Sequence, residues 1–230
     1  MLDWLLESLF RPQPKIGRAA DSVWGEPELA DPLGLVGVGG DLEPATLLAA
    51  YRRGVFPMYE DGEPICWWSP DPRAVIDLNA LHVSRRLQRT LRSGKFEVTF
   101  NQEFVGVMRG CADRPEGTWI TPDMIQAYAR LHRLGLAHSV EAWRHGELVG
   151  GIYGIAIGGL FAGESMFHRV SDASKVALVH LFDRLSGRGF VLFDSQILNE
   201  HTRSIGAYEI SREEYLMRLH DALSFPVTFK

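Results

Sequence analysis

The chain has 230 residues, of which 46% are hydrophobic and 23% charged, so it can bury a core as one large domain or two small ones. This composition excludes a disordered chain, a collagen-like fibre and a disulfide-stapled miniprotein. The net charge is −5 with His neutral. Overall charge therefore does not draw the chain to nucleic acid, and any basic binding site must be local.

The cysteines and histidines give no sign of a metal site. Cys66 and Cys111 are far apart in sequence, so we expect reduced thiols in a reducing compartment. The eight histidines never occur at the spacing of paired metal ligands, so no metal is expected. Segment 1–7 carries acidic residues where a secretory signal needs a basic flank, which predicts a cytoplasmic protein.

Residues 1–75 form a loop-rich region, which we predict to be a small domain docked on a second domain at 76–230. Nine of the twelve prolines lie in this region, and each removes a backbone donor and interrupts regular structure. A helix is expected from Glu43-Pro44 to Gly54, because proline suits the first turn of a helix and glycine its end. Aromatic side chains such as Trp67 give the region apolar surface for docking.

Residues 76–230 alternate between helical and strand periodicity. The predicted helices lie at 80–93, 102–111, 122–135, 172–187, 199–206 and 211–222, and the predicted strands at 96–101, 138–145, 147–157, 160–167 and 190–196. This order predicts an α+β domain in which helices flank a mostly antiparallel sheet.

An uncharged run from Leu148 to Gly163 allows two interpretations, a membrane helix or a buried hairpin. The run is shorter than the roughly 20 residues that span a bilayer, and its glycines weaken a helix. We therefore predict a hairpin that turns at Gly158-Gly159 and no contact with a membrane.

The predicted helix at 80–93 is unusually basic. Its cations are Arg85, Arg86, Arg89, Arg92 and Lys95, and residues 78–96 contain no acid. Arg85, Arg89 and Arg92 share one face, where like charges destabilise a helix unless an anionic partner such as a phosphodiester is bound. The alternative is a solvated helix face with no partner.

Two acids follow or interrupt apolar strands. Glu164 lies in the strand 160–167, and Asp194 and Gln196 end the strand 190–196 on the same side by strand alternation. A carboxylate beside an amide can accept a proton and orient a polar substrate group. The alternative is that both acids are structural members of a hydrogen-bonded network.

The sequence resembles bacterial leucyl/phenylalanyl-tRNA–protein transferases from about Asp31 to Leu219. The motifs that carry the resemblance are Tyr51-x-x-Gly54-x-Phe56-Pro57, Trp67-Trp68-Ser69-Pro70-Asp71-Pro72-Arg73-Ala74-Val75, Gly117-Thr118-Trp119-Ile120-Thr121, Gly163-Glu164-Ser165-Met166-Phe167, Ala173-Ser174-Lys175 and Asp194-x-Gln196-x-Leu198-Asn199-x-His201.

The resemblance implies transfer of Leu or Phe, with Met as a further candidate, from aminoacyl-tRNA to the α-amine of a protein that begins with Arg or Lys. The product would carry an N-terminal degradation signal. It also implies that the second domain has the N-acetyltransferase-like (GNAT) fold without acetyl-coenzyme A or another cofactor. The sequence agrees, because it lacks the Gln/Arg-x-x-Gly-x-Gly/Ala pyrophosphate loop and has residues 167–175 in its place.

The resemblance also implies roles for individual residues. Asp194 is the base or the group that orients the amine, Gln196 is a relay, and Glu164 binds the α-ammonium of the carried amino acid. The apolar pocket for the donor side chain is assigned to Trp119, Ile152, Phe161, Leu178, Leu181 and Phe193. Such apolar residues are also ordinary core residues, which is the alternative for each of them.

Two other classes of function fit part of the sequence. A coenzyme-A-dependent N-acetyltransferase fits the expected fold but lacks the pyrophosphate loop. A non-catalytic tRNA-binding module fits the basic helix but leaves Asp194 and Gln196 without a role.

Overall fold

The computed structural model describes residues 24–115 and 117–230. The N-terminal segment 1–7, from which the sequence predicts that no secretory signal is present, lies outside the described residues. A 3-10 turn at Pro27–Leu29 precedes a three-stranded antiparallel sheet. Its strands are β1 (Leu35–Val38), β2 (Phe56–Pro57) and β3 (Cys66–Trp68), in the order β1-β3-β2.

A seven-stranded sheet forms the centre of the molecule. Its strands are β4 (Arg73–Ile76), β5 (Glu97–Phe100), β6 (Ala137–Arg144), β7 (Glu147–Ile157), β8 (Leu160–His168), β9 (Leu192–Gln196) and β10 (Tyr208–Ile210). The order is β10-β4-β9-β8-β7-β6-β5, and every neighbouring pair is antiparallel except β8 and β9. The predicted α+β class with a mostly antiparallel sheet is confirmed.

Helices cover both faces of this sheet. They are α1 (Pro44–Arg52), α2 (Arg85–Arg92), α3 (Phe104–Ala112), α4 (Pro122–Arg133), α5 (Ala173–Arg188), α6 (Glu200–Ser204) and α7 (Arg212–Leu223). Proline opens α1 and α4, where its missing N–H has no helical partner to lose. Side-chain oxygens of Thr121 and Ser84 accept N–H bonds at the starts of α4 and α2.

The core lies on the two faces of the large sheet. One hydrophobic cluster packs α1, α3 and α4 on one face and includes Met108, Tyr128 and Tyr153. A second cluster packs α5 on the other face and includes Ile152 and Leu181. The neighbours Ile152 and Tyr153 thus point to opposite covered faces, which explains why the strands β7 and β8 carry so few charges.

The uncharged run is the predicted hairpin. The strand β7 ends at Ile157 and β8 begins at Leu160, so the chain turns at Gly158-Gly159 as predicted. Gly158 has a φ of +54°, a left-handed conformation that favours glycine. Among the residues that the structure describes, no helix is both long and apolar enough to cross a membrane.

The basic helix is shorter than predicted. It begins at Arg85, and the preceding segment 80–84 is not helical because His82 N–H donates to the carbonyl of Ile205. The short strands β4 and β10 were not predicted. The strand β4 pairs with both β9 and β10, so the predicted boundary between residues 75 and 76 lies inside a strand of the large sheet. The division into two domains stays a prediction.

Candidate active site

The strands β8 and β9 part within the large sheet, and a cavity opens between them. Their parallel pairing runs only from Leu160–Leu192 to Ala162–Asp194. Beyond this point Glu164 on β8 and Gln196 on β9 face a cavity of about 420 Å³. Helices α5 and α6 contribute further wall residues.

Asp194 is held in the core by an arginine. Its side chain is 1% exposed, as is that of Arg73. Arg73 donates from Nε to Oδ1 at 2.9 Å and from Nη2 to Oδ2 at 2.6 Å, which is a bidentate ion pair. The Tyr215 hydroxyl donates to Oδ2 at 2.8 Å, and the Gln196 backbone N–H donates to Oδ1 at 2.9 Å. Both oxygens of Asp194 are therefore engaged within the protein.

Glu164 is the acid that reaches the cavity. Its Oε1 accepts a hydrogen bond from the Tyr51 hydroxyl at 2.7 Å and another from Gln196 Nε2 at 2.9 Å. Its Oε2 is buried and has no hydrogen-bond partner among the residues that the structure describes. Burial raises the pKa of Glu164 to about 8, although the hydrogen bond from Tyr51 acts in the opposite direction. Near neutral pH this carboxyl therefore holds a proton.

Gln196 connects the two acids. It ends β9 in a left-handed conformation, with a φ of +63°. This conformation breaks the strand alternation, so that Ser195 and Gln196 both line the cavity. The backbone of Gln196 is bonded to Asp194 and its side-chain amide to Glu164, and the structure thus brings the three predicted catalytic residues into one hydrogen-bonded chain.

The six predicted pocket residues fall into two groups. Trp119, Ile152, Leu178 and Phe193 line the cavity. Phe161 and Leu181 are fully buried and do not belong to its lining, although the ring of Phe161 stacks on that of Phe193 at a centroid distance of 5.8 Å. Met58 is a further wall residue. The cavity wall therefore combines these apolar side chains with Glu164 and Gln196.

The sequence reasoning assigned no role to Arg73 or to three tyrosines, although Arg73 and Tyr51 occur in the family motifs. Arg73 directly precedes the apolar residues Ala74–Ile76. A cation in a buried strand requires an anionic partner, so this pattern could have identified Arg73 as a member of a buried ion pair. The tyrosines, Tyr51, Tyr128 and Tyr215, lie on the buried faces of helices, where their hydroxyl partners cannot be read from periodicity.

The basic helix α2 lies beside the elements that build the cavity. Arg86 donates to Ser171 Oγ at 3.0 Å and pairs with Asp172 at 3.5 Å, just before α5 begins. The other predicted tRNA-binding cations are exposed: Arg85, Arg89, Arg92 and Lys95. Within 24–115 and 117–230, these four make no ion pair with a carboxylate.

No group of three His, Cys, Asp or Glu side chains that could hold a metal ion occurs in the described part of the chain.

The chain matches two family models. Residues 75–220 match leucyl/phenylalanyl-tRNA protein transferase, and residues 40–71 match the N-terminal domain of the same family. The leucyl/phenylalanyl-tRNA–protein transferase of Solidesulfovibrio magneticus is 56% identical over 206 residues, which cover 88% of this chain and 83% of that protein. The transferase of the same name from Shigella dysenteriae serotype 1 is 54% identical over 196 residues, with coverage of 85% and 84%.

Solved structures show a looser similarity. The chain resembles L-PGS from Bacillus licheniformis with a TM-score of 0.40 and 13% identity, over 74% of this chain and 66% of that one. A GCN5-related N-acetyltransferase from Kribbella flavida gives a TM-score of 0.40 and 11% identity, over 73% and 61%.

Sequence identity above one half across most of both chains is decisive for family membership. The chain belongs to the leucyl/phenylalanyl-tRNA–protein transferase family, as its motifs predict, and is an aminoacyltransferase.

Proposed function

We propose that this enzyme transfers Leu or Phe from aminoacyl-tRNA to the N-terminal α-amine of proteins that begin with Arg or Lys. The observation that carries the proposal is the cavity that opens where β8 and β9 part, whose wall combines apolar side chains with Glu164 and Gln196. The donor side chain packs in this cavity against Ile152, Leu178 and Phe193. Met is a further candidate donor.

The chemistry needs little more than positioning. An aminoacyl ester is already activated, so the enzyme must hold its carbonyl beside a neutral amine and manage one proton. Glu164 and Gln196 reach the cavity and are the proposed catalytic residues. Asp194 has both oxygens engaged by Arg73, Tyr215 and Gln196, and we assign it the role of orienting the site through Gln196. No cofactor is required.

The acceptor stem of the tRNA binds along α2 in this proposal. Arg85, Arg89 and Arg92 are exposed and without carboxylate partners in the described chain, which suits contacts with phosphates. The reaction belongs to the cytoplasm, and its product is a protein whose new N-terminal Leu or Phe serves as a degradation signal.

A transfer assay tests the proposal. Leucyl- and phenylalanyl-tRNA labelled in the amino acid are incubated with the enzyme and with a peptide that begins with Arg. We expect label in the peptide from both donors, and none in an N-acetylated copy or in a peptide that begins with Ala. Equal labelling of the acetylated peptide, or no labelling of any peptide, would contradict the proposal.

A further inference from the structure

We infer that Glu164 accepts the proton of the attacking amine, and that the hydroxyls of Tyr51 and Tyr128 are positioning residues that hold it for this task. The inference rests on the function proposed above and assigns separate roles to the residues of that site.

Asp194 is poorly placed to accept this proton. It does not line the cavity, and its two oxygens already receive four hydrogen bonds, two of them from the Arg73 guanidinium. Protonation of Asp194 would break a buried ion pair and leave Arg73 as an unpaired cation in the core. Asp194, which the sequence motif places beside Gln196, therefore has no oxygen left for a substrate N–H.

Glu164 has the opposite character. It borders the cavity, and only its Oε1 is engaged, by Tyr51 and Gln196. Its Oε2 is buried without a partner in the described part of the chain, so a substrate N–H placed at this oxygen would supply the missing hydrogen bond. Glu164 can thus accept a hydrogen bond from the substrate N–H at Oε2 and then accept the proton of that N–H at the same oxygen.

The tyrosine hydroxyls fix the direction of this carboxyl. Tyr51 on α1 donates to Oε1 of Glu164, so its own oxygen is free to accept from Tyr128 on α4. All three side chains are buried. Because one hydrogen bond orients the next, this chain holds Oε1 in place and leaves Oε2 as the oxygen without a partner among the described residues.

Other titratable groups surround Glu164, and their effects partly cancel. They are Tyr51 on α1, Tyr128 on α4, Tyr153 on β7, Asp194 on β9 and Arg73 on β4, with Arg114, His168 and His201 on the cavity wall. Burial is the largest influence and raises the pKa of Glu164 to about 8; the charge of Asp194 also raises it and that of Arg73 lowers it. Since a free α-amine has a pKa of about 7.7 to 8.0, a proton moves between the two groups at little cost.

The transfer balances without another reagent. The amine nitrogen bonds to the ester carbonyl carbon as its proton moves to Glu164. The bond between that carbon and the ribose oxygen of the tRNA then breaks, and the ribose oxygen takes the proton from Glu164. The products are the amide and the free ribose hydroxyl, with Glu164 a carboxylate again.

The test is the pH dependence of transfer from a preformed complex of enzyme and aminoacyl-tRNA, with limiting acceptor peptide. Below the pKa of both groups, two protons must be lost before reaction, one from the amine and one from Glu164. The logarithm of the rate constant should rise with pH with a slope of about 2 in the unaltered enzyme and about 1 in Glu164→Gln. We expect Glu164→Gln to be slower by roughly 10²-fold or more at pH 8.

The tyrosines allow a matched comparison. Tyr153 is buried beside Tyr128, at a ring-centroid distance of 6.0 Å, but its hydroxyl has no hydrogen-bond partner within 24–115 and 117–230. Tyr51→Phe should slow transfer and raise the pKa of Glu164, because it removes a donor to the carboxylate, whereas Tyr153→Phe should change neither. The pKa is measured without substrate, from the ¹³C signal of the Glu164 carboxyl, which is identified by its absence in Glu164→Gln.

Three outcomes would overturn the inference. They are a slope in Glu164→Gln equal to that of the unaltered enzyme, an effect of Tyr153→Phe as large as that of Tyr51→Phe, and a Glu164→Gln variant that binds donor more weakly but reacts at the normal rate when saturated. Each requires that the unaltered enzyme transfers. Absence of transfer by the unaltered enzyme would instead contradict the proposed function.

Discussion

Arg73 and Asp194, 121 positions apart in sequence, are joined in the core by two hydrogen bonds of 2.9 and 2.6 Å between one guanidinium and one carboxylate. Arg73 also donates to the carbonyl of Gly54 at 2.9 Å and lies over the rings of Phe56 and Tyr215. A single side chain therefore links the β1–β3 region, the large sheet and α7. The backbone of Gln196 is joined to this link through its hydrogen bond to Asp194.

Asp194→Asn should destabilise the protein by about 3 to 5 kcal/mol, because it leaves a buried arginine without its counter-charge. The measurement is urea unfolding. Glu214→Gln is the control, since its pair with Arg218 is 39% and 42% exposed and such pairs contribute only about 0.3 to 0.5 kcal/mol. An equal loss of unfolding free energy in the two variants would show that the buried pair stabilises the protein no more than the exposed pair.

Leu178→Phe should lower transfer of Phe relative to Leu by roughly 10-fold, because Leu178 lines the cavity and a larger residue there excludes the larger donor. Leu181→Phe is the matched control. It lies one helical turn further along α5, is fully buried and does not line the cavity, so it should reduce stability without changing the Phe:Leu ratio. A changed ratio in the control alone would place the donor pocket elsewhere.

Replacement of Arg85, Arg89 and Arg92 by Gln should flatten the salt dependence of tRNA binding. Each lost phosphate contact reduces the slope of log affinity against log salt by roughly 0.7 to 0.9. Binding is measured by fluorescence anisotropy at several salt concentrations, with Arg133→Gln, an exposed arginine of α4, as the control. An unchanged slope in the triple variant would support the solvated-face interpretation of α2.

The stability of Glu164→Gln should depend less on pH than that of the unaltered protein. Glu164 has a raised pKa of about 8 in the folded state, against 4.5 without burial, so between these values the folded state binds a proton that the unfolded state does not. Stability therefore falls as pH rises from about 4.5 to 8, and this fall is lost with Gln. Thermal unfolding at pH 5 and pH 8 measures it; parallel pH curves for the two proteins would contradict the raised pKa.

Local patterns were sufficient for the long elements of the large sheet. The strand predicted at 147–157 is observed at Glu147–Ile157, and the helix predicted at 122–135 begins at Pro122 behind the Thr121 cap. Each was predicted from a signal within the segment itself: the strand from its uncharged run, and the helix from its threonine-proline start. The short strands β4 and β10 were missed because three or four residues carry no clear periodicity. The pairing of β4 with β9 and of β10 with β4 stabilises them as strands.

The candidate site was predictable in its members and not in their contacts. Motifs located Asp194, Gln196 and Glu164. No local pattern shows that Arg73 pairs with Asp194, or that burial raises the pKa of Glu164. The same limit separates the two groups of apolar residues. Strand alternation predicts that Phe161 is buried. It cannot distinguish a buried side chain that lines a cavity from one that packs on a neighbouring ring, as Phe161 does on Phe193.

The position of β4 determines where the chain can be cut into fragments that still fold. A fragment that begins at residue 76 would lack most of the strand that separates β9 from β10, and with it Arg73. Asp194 would then be a lone buried anion, and β9 would expose an open edge prone to pairing with other chains. Expression of the catalytic half in isolation should start upstream of Arg73, and a protease that cuts between the two regions leaves an intact sheet only if it cuts before that residue.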